Sequence, residues 1–301
     1  MRRMRLKVRS YLVAYRSPHA SSSPAAVMPP SSATSTDSNA TRGLNSLSVT
    51  AQNVSLDFPT RDGSSLRVLD DVSVQIEPGQ FVSLLGPSGC GKSTFLNAVA
   101  GLATISSGTL RIGGRELQSI NGRAGYMFQE DTLLPWASAL DNVLLPMQVS
   151  NRVDRAEAGR LLSLVGLEGF ENRKPRELSG GMRKRVQFAR LLAQTPEIIL
   201  MDEPFGALDA LTKIVMQQEL LRVWQMNPKT VLFVTHDPSE AILLSDRILM
   251  FSARPGRIVE DYSVDIERPR GDLAQIMKRD DYRELYDEIL HKLMSGGDDH
   301  A

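Results

Sequence analysis

The stretch of sequence that decides the fold is the run Gly86-Pro87-Ser88-Gly89-Cys90-Gly91-Lys92-Ser93, followed by Thr94. A short apolar strand pattern, 81–85, precedes the run, and a helical pattern over 92–100 follows it. Glycines let a backbone wrap closely around phosphate groups. The start of the helix adds free N–H groups and the positive end of its dipole. The run therefore predicts a phosphate-binding loop between a strand and a helix.

Side chains of this loop suit a nucleoside triphosphate and its metal ion. Lys92 can reach the outer phosphates as a point charge, and the Ser93 hydroxyl can ligate Mg²⁺. Thr94 can add a further phosphate contact. Cys90 is interpreted as a small space-filling residue of the loop, with no chemistry of its own.

A second apolar strand, Ile198–Met201, ends in the acids Asp202 and Glu203. An acid pair after a strand is often only a helix cap, but Asp202 follows Lys92 by 110 residues (202 − 92). At that position after a phosphate loop, Asp202 can hold Mg²⁺ through a water molecule, and Glu203 can polarise an attacking water. The two acids are predicted to form the hydrolytic half of the site.

The remaining apolar segments indicate the fold class. Short apolar strands such as 231–235 and 247–251 alternate with helical patterns such as 156–167, 181–193 and 239–245. This alternation predicts an α/β fold with a parallel sheet covered on both faces. No internal repeat is visible, so one such domain is expected.

The segment Leu178-Ser179-Gly180-Gly181-Met182 resembles the signature motif of the ABC ATPase family. In isolation, a Ser-Gly-Gly run could simply cap a helix. The resemblance implies that Ser179, Gly180 and Gly181 contact the γ-phosphate of an ATP bound by a second subunit. The active unit would then be a head-to-tail homodimer with two ATP molecules at its interface.

The other positions of the family pattern are also occupied. Gln129 matches the glutamine that senses Mg²⁺ and the attacking water, and His236 matches the switch histidine. Asp209, in Ala207-Leu208-Asp209, matches the loop that bridges the two subunits. Phe58 matches the aromatic residue that stacks on adenine, although strand aromatics usually pack in the core, and that alternative stays open.

The resemblance further implies the ligands, the catalytic residues and the architecture. The ligands would be ATP and Mg²⁺, with Mg²⁺ held by Ser93, Gln129 and Asp202. The catalytic residues would be Glu203, His236 and Gln129. The implied fold is a P-loop NTPase core with a mixed sheet, an N-terminal antiparallel β subdomain and a helical subdomain inserted at about 130–195.

The chain ends differ from the predicted ATPase domain, 45–270. Residues 1–42 contain seven Lys or Arg and one acid, Asp37, and much of 1–44 is rich in Ser and Pro. Such a composition predicts a disordered tail. A transit peptide or a membrane-attracted basic cluster are the alternatives. Residues 271–301 are predicted to form a helical C-terminal tail.

Longer runs resemble the nitrate/sulfonate/taurine importer branch of the family. They are 128–136, Pro204–Leu211, and the segments Leu244–Arg247 and Ser252–Arg257. This resemblance implies a translocase subunit that hydrolyses ATP on the cytoplasmic face of the inner membrane. Its partners would be separate transmembrane permease subunits and, indirectly, a solute-binding protein. Leu133-Leu134-Pro135-Trp136 is expected to form an exposed docking patch, or alternatively an internally packed helix start.

Composition narrows the alternatives. Lys and Arg total 35, as do Asp and Glu, so no net charge attracts nucleic acid. A single cysteine excludes an internal disulfide and fits a reducing compartment. No apolar run reaches the roughly 18–20 residues that span a bilayer. Two rival functions remain: a soluble, non-transport ABC ATPase, and a P-loop kinase, which would leave Ser179, Asp209 and His236 unexplained.

Overall fold

A computed structural model describes residues 46–61, 63–206 and 208–295 of the chain. Residues 1–45, which include the predicted tail 1–44, lie outside the described residues, as do Asp62, Ala207 and residues 296–301. Within those three ranges, no helix is both long enough and apolar enough to cross a membrane.

The central sheet has six strands in the order β10-β9-β3-β8-β7-β6. Five of them pair in parallel, and β10 runs antiparallel to β9, so the sheet is mixed. The strands are β3 (Phe81–Leu85), β6 (Ala124–Met127), β7 (Ile198–Asp202), β8 (Thr230–Val234), β9 (Arg247–Phe251) and β10 (Ile258–Ser263). β3, β7 and β8 are buried at every residue, which explains why their sequences are apolar except for Ser83, Asp202 and Thr230.

Alternate side chains of these strands enter two separate cores, because successive residues of a strand point to opposite faces. Phe81, Met201 and Phe233 belong to one core, whereas Leu84 and Leu200 belong to the other. The sheet is therefore covered on both faces, as the sequence predicts.

A second, antiparallel sheet has the strand order β2-β1-β4-β5. Its strands are β1 (Val49–Pro59), β2 (Ser65–Ile76), β4 (Ser107–Ile112) and β5 (Arg115–Glu116). Apolar residues of β1 and β2 pack in the same core as Leu84 and Leu200 of the central sheet. This sheet is the antiparallel β unit that the family resemblance implies.

Most of the helices begin at a side chain that caps their first turn. The helices are α1 (Lys92–Val99), α2 (Ala139–Val149), α3 (Arg155–Leu164), α4 (Gly180–Ala193), α5 (Ala210–Met226), α6 (Pro238–Leu244), α7 (Leu273–Ile276) and α8 (Asp280–Ser295). The capping side chains of α2 to α7 are Ser138, Asp154, Ser179, Asp209, Asp237 and Asp272. Each accepts a hydrogen bond from a backbone N–H that has no partner within the helix.

Between β6 and β7, helices α2, α3 and α4 pack on one another, with a short 3-10 helix at Pro175–Glu177. These helices fall inside the predicted helical segment. At the C-terminus, α8 contacts α6, and Tyr282 Oη lies 2.9 Å from Ser239 Oγ. Lys292 of α8 forms an ion pair of 2.5 Å with Glu260 of β10.

Strand β10 is an element that the sequence analysis missed. Its residues alternate between half-buried and exposed, and they read Ile-Val-Glu-Asp-Tyr-Ser. A half-exposed edge strand with two acids has no continuous apolar run, which is the pattern by which the inner strands are recognised.

Candidate functional site

The glycine-rich run forms the loop between β3 and α1, as predicted. Gly91 precedes α1 with φ +106°, in a region that side-chain-bearing residues rarely adopt. A Cβ atom there would lie 2.7 Å from Leu69 and 3.0 Å from the Val68 carbonyl, so both the conformation and the space require glycine. The Lys92 ammonium curls back over the loop and donates to the carbonyls of Gly86 and Pro87, at 2.8 Å each.

Ser93 and Asp202 meet at the base of this loop. The Ser93 hydroxyl donates to Asp202 Oδ1 at 2.8 Å, which joins the start of α1 to the end of β7. Asp202 is 8% exposed. Burial raises the pKa of its carboxyl, the Ser93 hydrogen bond lowers that pKa, and the neighbouring Glu203 charge raises it; the net direction is upward.

Glu203 lies between Gln129 and His236. Gln129 Nε2 donates to Glu203 Oε2 at 3.0 Å, and His236 Nδ1 lies 3.5 Å from Glu203 Oε1. The backbone of Glu203 has φ +44° and is fixed by its N–H donating to Val234 O at 3.1 Å. A non-glycine residue held at positive φ is uncommon and is often found at functional positions.

Most of these residues, although not Asp202, border one open cleft of about 520 Å³. Its lining comprises Val68, Ser88, Gly89, Gly91, Lys92, Ser93, Thr94, Gln129, Glu203, His236 and Arg254. The cleft therefore combines the backbone N–H groups of the loop with the Lys92 ammonium. It also contains the Glu203 carboxylate, flanked by Gln129 and His236. Such an arrangement can bind a polyphosphate and place a water molecule next to the carboxylate.

The signature segment does not line this cleft. Ser179 is exposed at the start of α4, where its Oγ accepts a hydrogen bond of 3.2 Å from the Met182 N–H. The neighbouring Gly181 lies beside Leu208 and Thr212, next to the start of α5. At that start, Asp209 Oδ1 accepts from the Thr212 N–H at 3.0 Å. Hydrogen bonds from the Thr212 hydroxyl and then from its N–H lower the pKa of Asp209. Ser179 and Asp209 thus lie on one exposed region outside the cleft of their own chain.

Phe58 lies near the end of β1 and is 44% exposed. Core packing, the alternative weighed from the sequence, is therefore wrong for this side chain. Phe58 is absent from the residues that line the cleft, so stacking on adenine stays a prediction.

The apolar run after Gln129 is exposed only in part. Trp136 is 57% exposed, but Leu133 is 8% exposed and packs in the core with Met127 and Val143. The expectation of an exposed patch over the whole run is wrong at Leu133, because the chain there turns toward α2. Asn142 of α2 fixes that turn, accepting from the Leu134 N–H at 2.8 Å.

Arg254 borders the cleft although the sequence analysis gave it no role. Its loop, between β9 and β10, approaches the phosphate loop so closely that a Cβ on Gly256 would lie 2.0 Å from Cys90 O. The guanidinium lies beside Gly89 and forms no ion pair with any part of the chain that the structure describes. The strand order accounts for the position of Arg254. β9 neighbours β3 in parallel, and the loops that follow parallel neighbours lie at the same edge of the sheet.

Lys184 was also missed. This buried side chain of α4 donates to the carbonyls of Gln129, at 2.6 Å, and Phe128, at 3.2 Å. Burial lowers its pKa, and the charges of Asp131 and Asp202 act in the opposite direction. No local pattern marks it, because a lysine in an amphipathic helix is normally solvated.

The fold and the cleft define a P-loop ATPase. A family model described as ABC transporter matches residues 69–206. The taurine import ATP-binding protein TauB of Rhizobium johnstonii is 45% identical over 247 residues, which are 80% of this chain and 94% of that protein. The aliphatic sulfonates import ATP-binding protein SsuB of Bacillus thuringiensis subsp. konkukian is 38% identical over 251 residues, 83% of this chain and 98% of that protein.

Among solved structures, the dimeric post-hydrolysis state of the ATP-binding cassette MJ0796, bound to ADP and Pi, is similar. It has a TM-score of 0.66 and 33% sequence identity, and the match covers 73% of this chain and all of that one. The chain therefore belongs to the ATP-binding subunits of ABC transporters, which hydrolyse ATP. The predicted family and fold class are confirmed.

Proposed function

We propose that this chain is the ATP-hydrolysing subunit of an importer for a small anionic solute, acting through separate membrane subunits. The observation that carries the proposal is the cleft in which Lys92, Glu203 and His236 face one space. Relatives named for taurine and aliphatic sulfonate import support a sulfonate-like solute. The ATPase domain would span 45–270, with the helical subdomain at about 130–195 and the tail at 271–301.

ATP would bind with its phosphates in the loop from Gly86 to Thr94. Backbone N–H groups and the start of α1 contact the phosphates, and Lys92 leaves its carbonyl partners for the outer phosphates. Arg254 adds a second cation at the Gly89 side of the loop. A guanidinium without an ion-pair partner among the described residues is suited to bind phosphate. Phe58 would stack on the adenine.

Ser93, Asp202 and Gln129 would hold Mg²⁺. They offer a hydroxyl, a carboxylate and an amide oxygen, which are the hard ligands that Mg²⁺ prefers. The 2.8 Å contact of Ser93 with Asp202 shows that two of these oxygens already converge. Burial also disfavours the charged form of Asp202, so a cation would offset that cost. When bound, Mg²⁺ neutralises charge that develops on the phosphates.

Hydrolysis would be driven by Glu203. Its carboxylate accepts a hydrogen bond from a water molecule placed in line with the γ-phosphate, and thereby increases the nucleophilicity of the water oxygen. Gln129 and His236, which contact the two carboxylate oxygens, orient Glu203 and that water. The His236 imidazole also donates to the γ-phosphate, which withdraws charge from the phosphorus during attack.

A second copy of the chain would complete each site. Ser179 and its glycines form an exposed helix start, which is suited to bind an anion. This helix start does not line the cleft of its own chain. In a head-to-tail homodimer this helix start would contact the γ-phosphate bound by the other copy. Asp209, which lies on the same region, would bridge the subunits.

Membrane subunits would dock on the helical segment, at the cytoplasmic face of the inner membrane, with a solute-binding protein acting on the other side. A cleft of about 370 Å³ lies between β6, α2 and α4. Its lining combines apolar residues with the polar side chains of Gln187, Arg190 and Gln194. A polypeptide segment could insert there and contact both kinds of side chain. Trp136, also in the helical segment, offers an exposed aromatic anchor.

Replacing Trp136 tests this docking face. We expect Trp136→Ala to lose most of the solute uptake and of the co-purification with membrane subunits, because an exposed aromatic anchor contributes about 2 kcal/mol or more to an interface. Val153→Ala is the matched control, since Val153 has the same 57% exposure in the same segment. Uptake by intact transporter and the melting temperature of each variant are measured. Equal uptake by Trp136→Ala and wild type would contradict docking at Trp136.

The solute is tested through the solute-binding protein encoded with the transporter. Thermal shift against taurine, aliphatic sulfonates, nitrate and pyrimidines should give a shift with a sulfonate or another small anion. ATP-dependent uptake of the same solute into vesicles should then require this chain. A shift with pyrimidines alone would refute an anionic solute. Failure of this chain to co-purify with any polytopic membrane subunit would favour a soluble ABC ATPase.

A further inference from the structure

We propose that Lys213 is a positioning residue that couples the subunit-bridging segment at Asp209 to His236 of the catalytic site. Lys213 lies on the first turn of α5, and its N–H donates to Asp209 O at 2.8 Å. Its ammonium lies 2.6 Å from Asp237 Oδ2 and 2.7 Å from Glu240 Oε1. One side chain thus joins the helix that Asp209 begins to the residue that follows His236.

The backbone on both sides of His236 is held by this cluster. Glu240 Oε2 accepts a hydrogen bond from the Thr235 hydroxyl, whose oxygen accepts from the Asp237 N–H at 3.0 Å. Asp237 also caps α6 by accepting from the Ser239 N–H at 2.9 Å. The His236 side chain itself is 60% exposed. Its position is therefore set mainly by its two neighbours in the chain, and these are anchored through Lys213.

The ion pairs of Lys213 strengthen the link between α5 and the backbone around His236. Glu240 is buried, and its partners in the described structure are Lys213, Thr235 and a weaker contact of 3.4 Å from Gln217 Nε2. Burial acts to lower the pKa of Lys213, but the hydrogen bonds to Asp237 and Glu240 outweigh it and the pKa is raised. Lys213 is thus a cation at neutral pH. Its removal would leave a buried carboxylate without its counter-charge.

The consequence concerns dimer closure. The role of Asp209 at the interface and that of His236 in hydrolysis both rest on the proposed function. When a second copy contacts the start of α5, any shift of that turn moves Lys213, and with it the Thr235–Asp237 backbone. Closure of the dimer would then adjust the position of His236 beside Glu203. Hydrolysis in one site would depend on contacts that the other copy makes with this segment.

Lys213→Met and Lys213→Arg separate positioning from stability. Lys213→Met should lower kcat by about 10²-fold, the cost of displacing a catalytic group by about 1 Å, with the KM for ATP changed less than threefold. Lys213→Arg keeps the cation and should restore kcat to within about tenfold of wild type. Lys292→Met is the control, because it removes an exposed ion pair on α8 and should leave kcat unchanged. Melting temperatures are measured for all variants.

The Lys213→Met/Glu240→Gln double variant removes the unpaired charge and guards against simple unfolding. Recovery of the melting temperature with kcat still low would support positioning, whereas recovery of both would overturn it. Wild-type kcat in Lys213→Met would also overturn it. His236→Ala distinguishes this inference from the proposed function. If His236→Ala loses turnover while Lys213→Met keeps it, only the link fails. If His236→Ala itself turns over normally, the proposed role of His236 fails.

Discussion

Glu203→Gln is expected to bind ATP but to hydrolyse it about 10²- to 10⁴-fold more slowly than wild type, the range for loss of a general base. The amide has the shape of the carboxylate and can remain between Gln129 and His236, whose contacts in the native chain are 3.0 and 3.5 Å. The neutral amide cannot accept a proton from the attacking water as a carboxylate can. ATP should therefore stay bound, and the closed dimer that ATP favours should accumulate.

This variant is checked by single-turnover hydrolysis and by sedimentation with ATP and Mg²⁺. Glu219→Gln is the matched control, because it makes the same change in an acid of α5 that pairs with Arg222 on the surface. Glu219→Gln should hydrolyse ATP at the wild-type rate and dissociate afterwards. Normal hydrolysis by Glu203→Gln would show that Glu203 is not the group that activates water.

Ser179→Asp is expected to lower ATP turnover on the order of 10³-fold while leaving the fold intact. Ser179 caps α4, and Asp is as good a capping residue as Ser, so the helix should keep its stability. The new carboxylate would face the γ-phosphate bound by the other copy. Two like charges at about 4 Å repel by about 4 kcal/mol at an effective dielectric constant near 20, which corresponds to about 10³-fold in rate.

Ser179→Asn separates charge from shape, because Asn also caps helices but carries no charge. Its turnover should lie well above that of Ser179→Asp. The affinity for ATP, measured on monomeric protein, should be nearly the same in wild type and in both Ser179 variants, since Ser179 lies outside the cleft of its own chain. Wild-type turnover in Ser179→Asp would contradict the claim that the signature segment completes the ATP site. It would instead favour the alternative function as a P-loop kinase.

The parts of the fold that the sequence predicts well are those with an uninterrupted local pattern. Phe81–Leu85 was predicted with its observed bounds, because a strand buried on both faces is mostly apolar, here at every residue except Ser83. The loop that follows is marked in the sequence by the spacing of its glycines, whereas the steric need for Gly91 comes from Leu69 and the Val68 carbonyl in the folded chain. Strand β10 was not predicted, since at the sheet edge half of its side chains are exposed and polar.

Residues that act through long-range contacts were beyond sequence reasoning. Lys184, Lys213 and Arg254 acquire their partners or positions from segments 24 to 165 residues away. The separation is 24 for Lys213 and Asp237, 55 for Lys184 and Gln129, and 165 (254 − 89) for Arg254 and Gly89. Their significance depends on how α4, α5 and the loop after β9 pack around the cleft, which a local pattern does not encode. Leu133 was misjudged for the same reason, because packing against α2 buries it.

The measurement that tests the central claim most directly is ATP turnover per chain as the wild-type protein is diluted, with the mass of the particle followed by sedimentation at each dilution. If each site takes its phosphate loop from one chain and Ser179–Gly181 from another, turnover per chain should fall together with the fraction of dimer. Turnover per chain that stays constant down to dilutions where the particle is a monomer would contradict a site built from two chains.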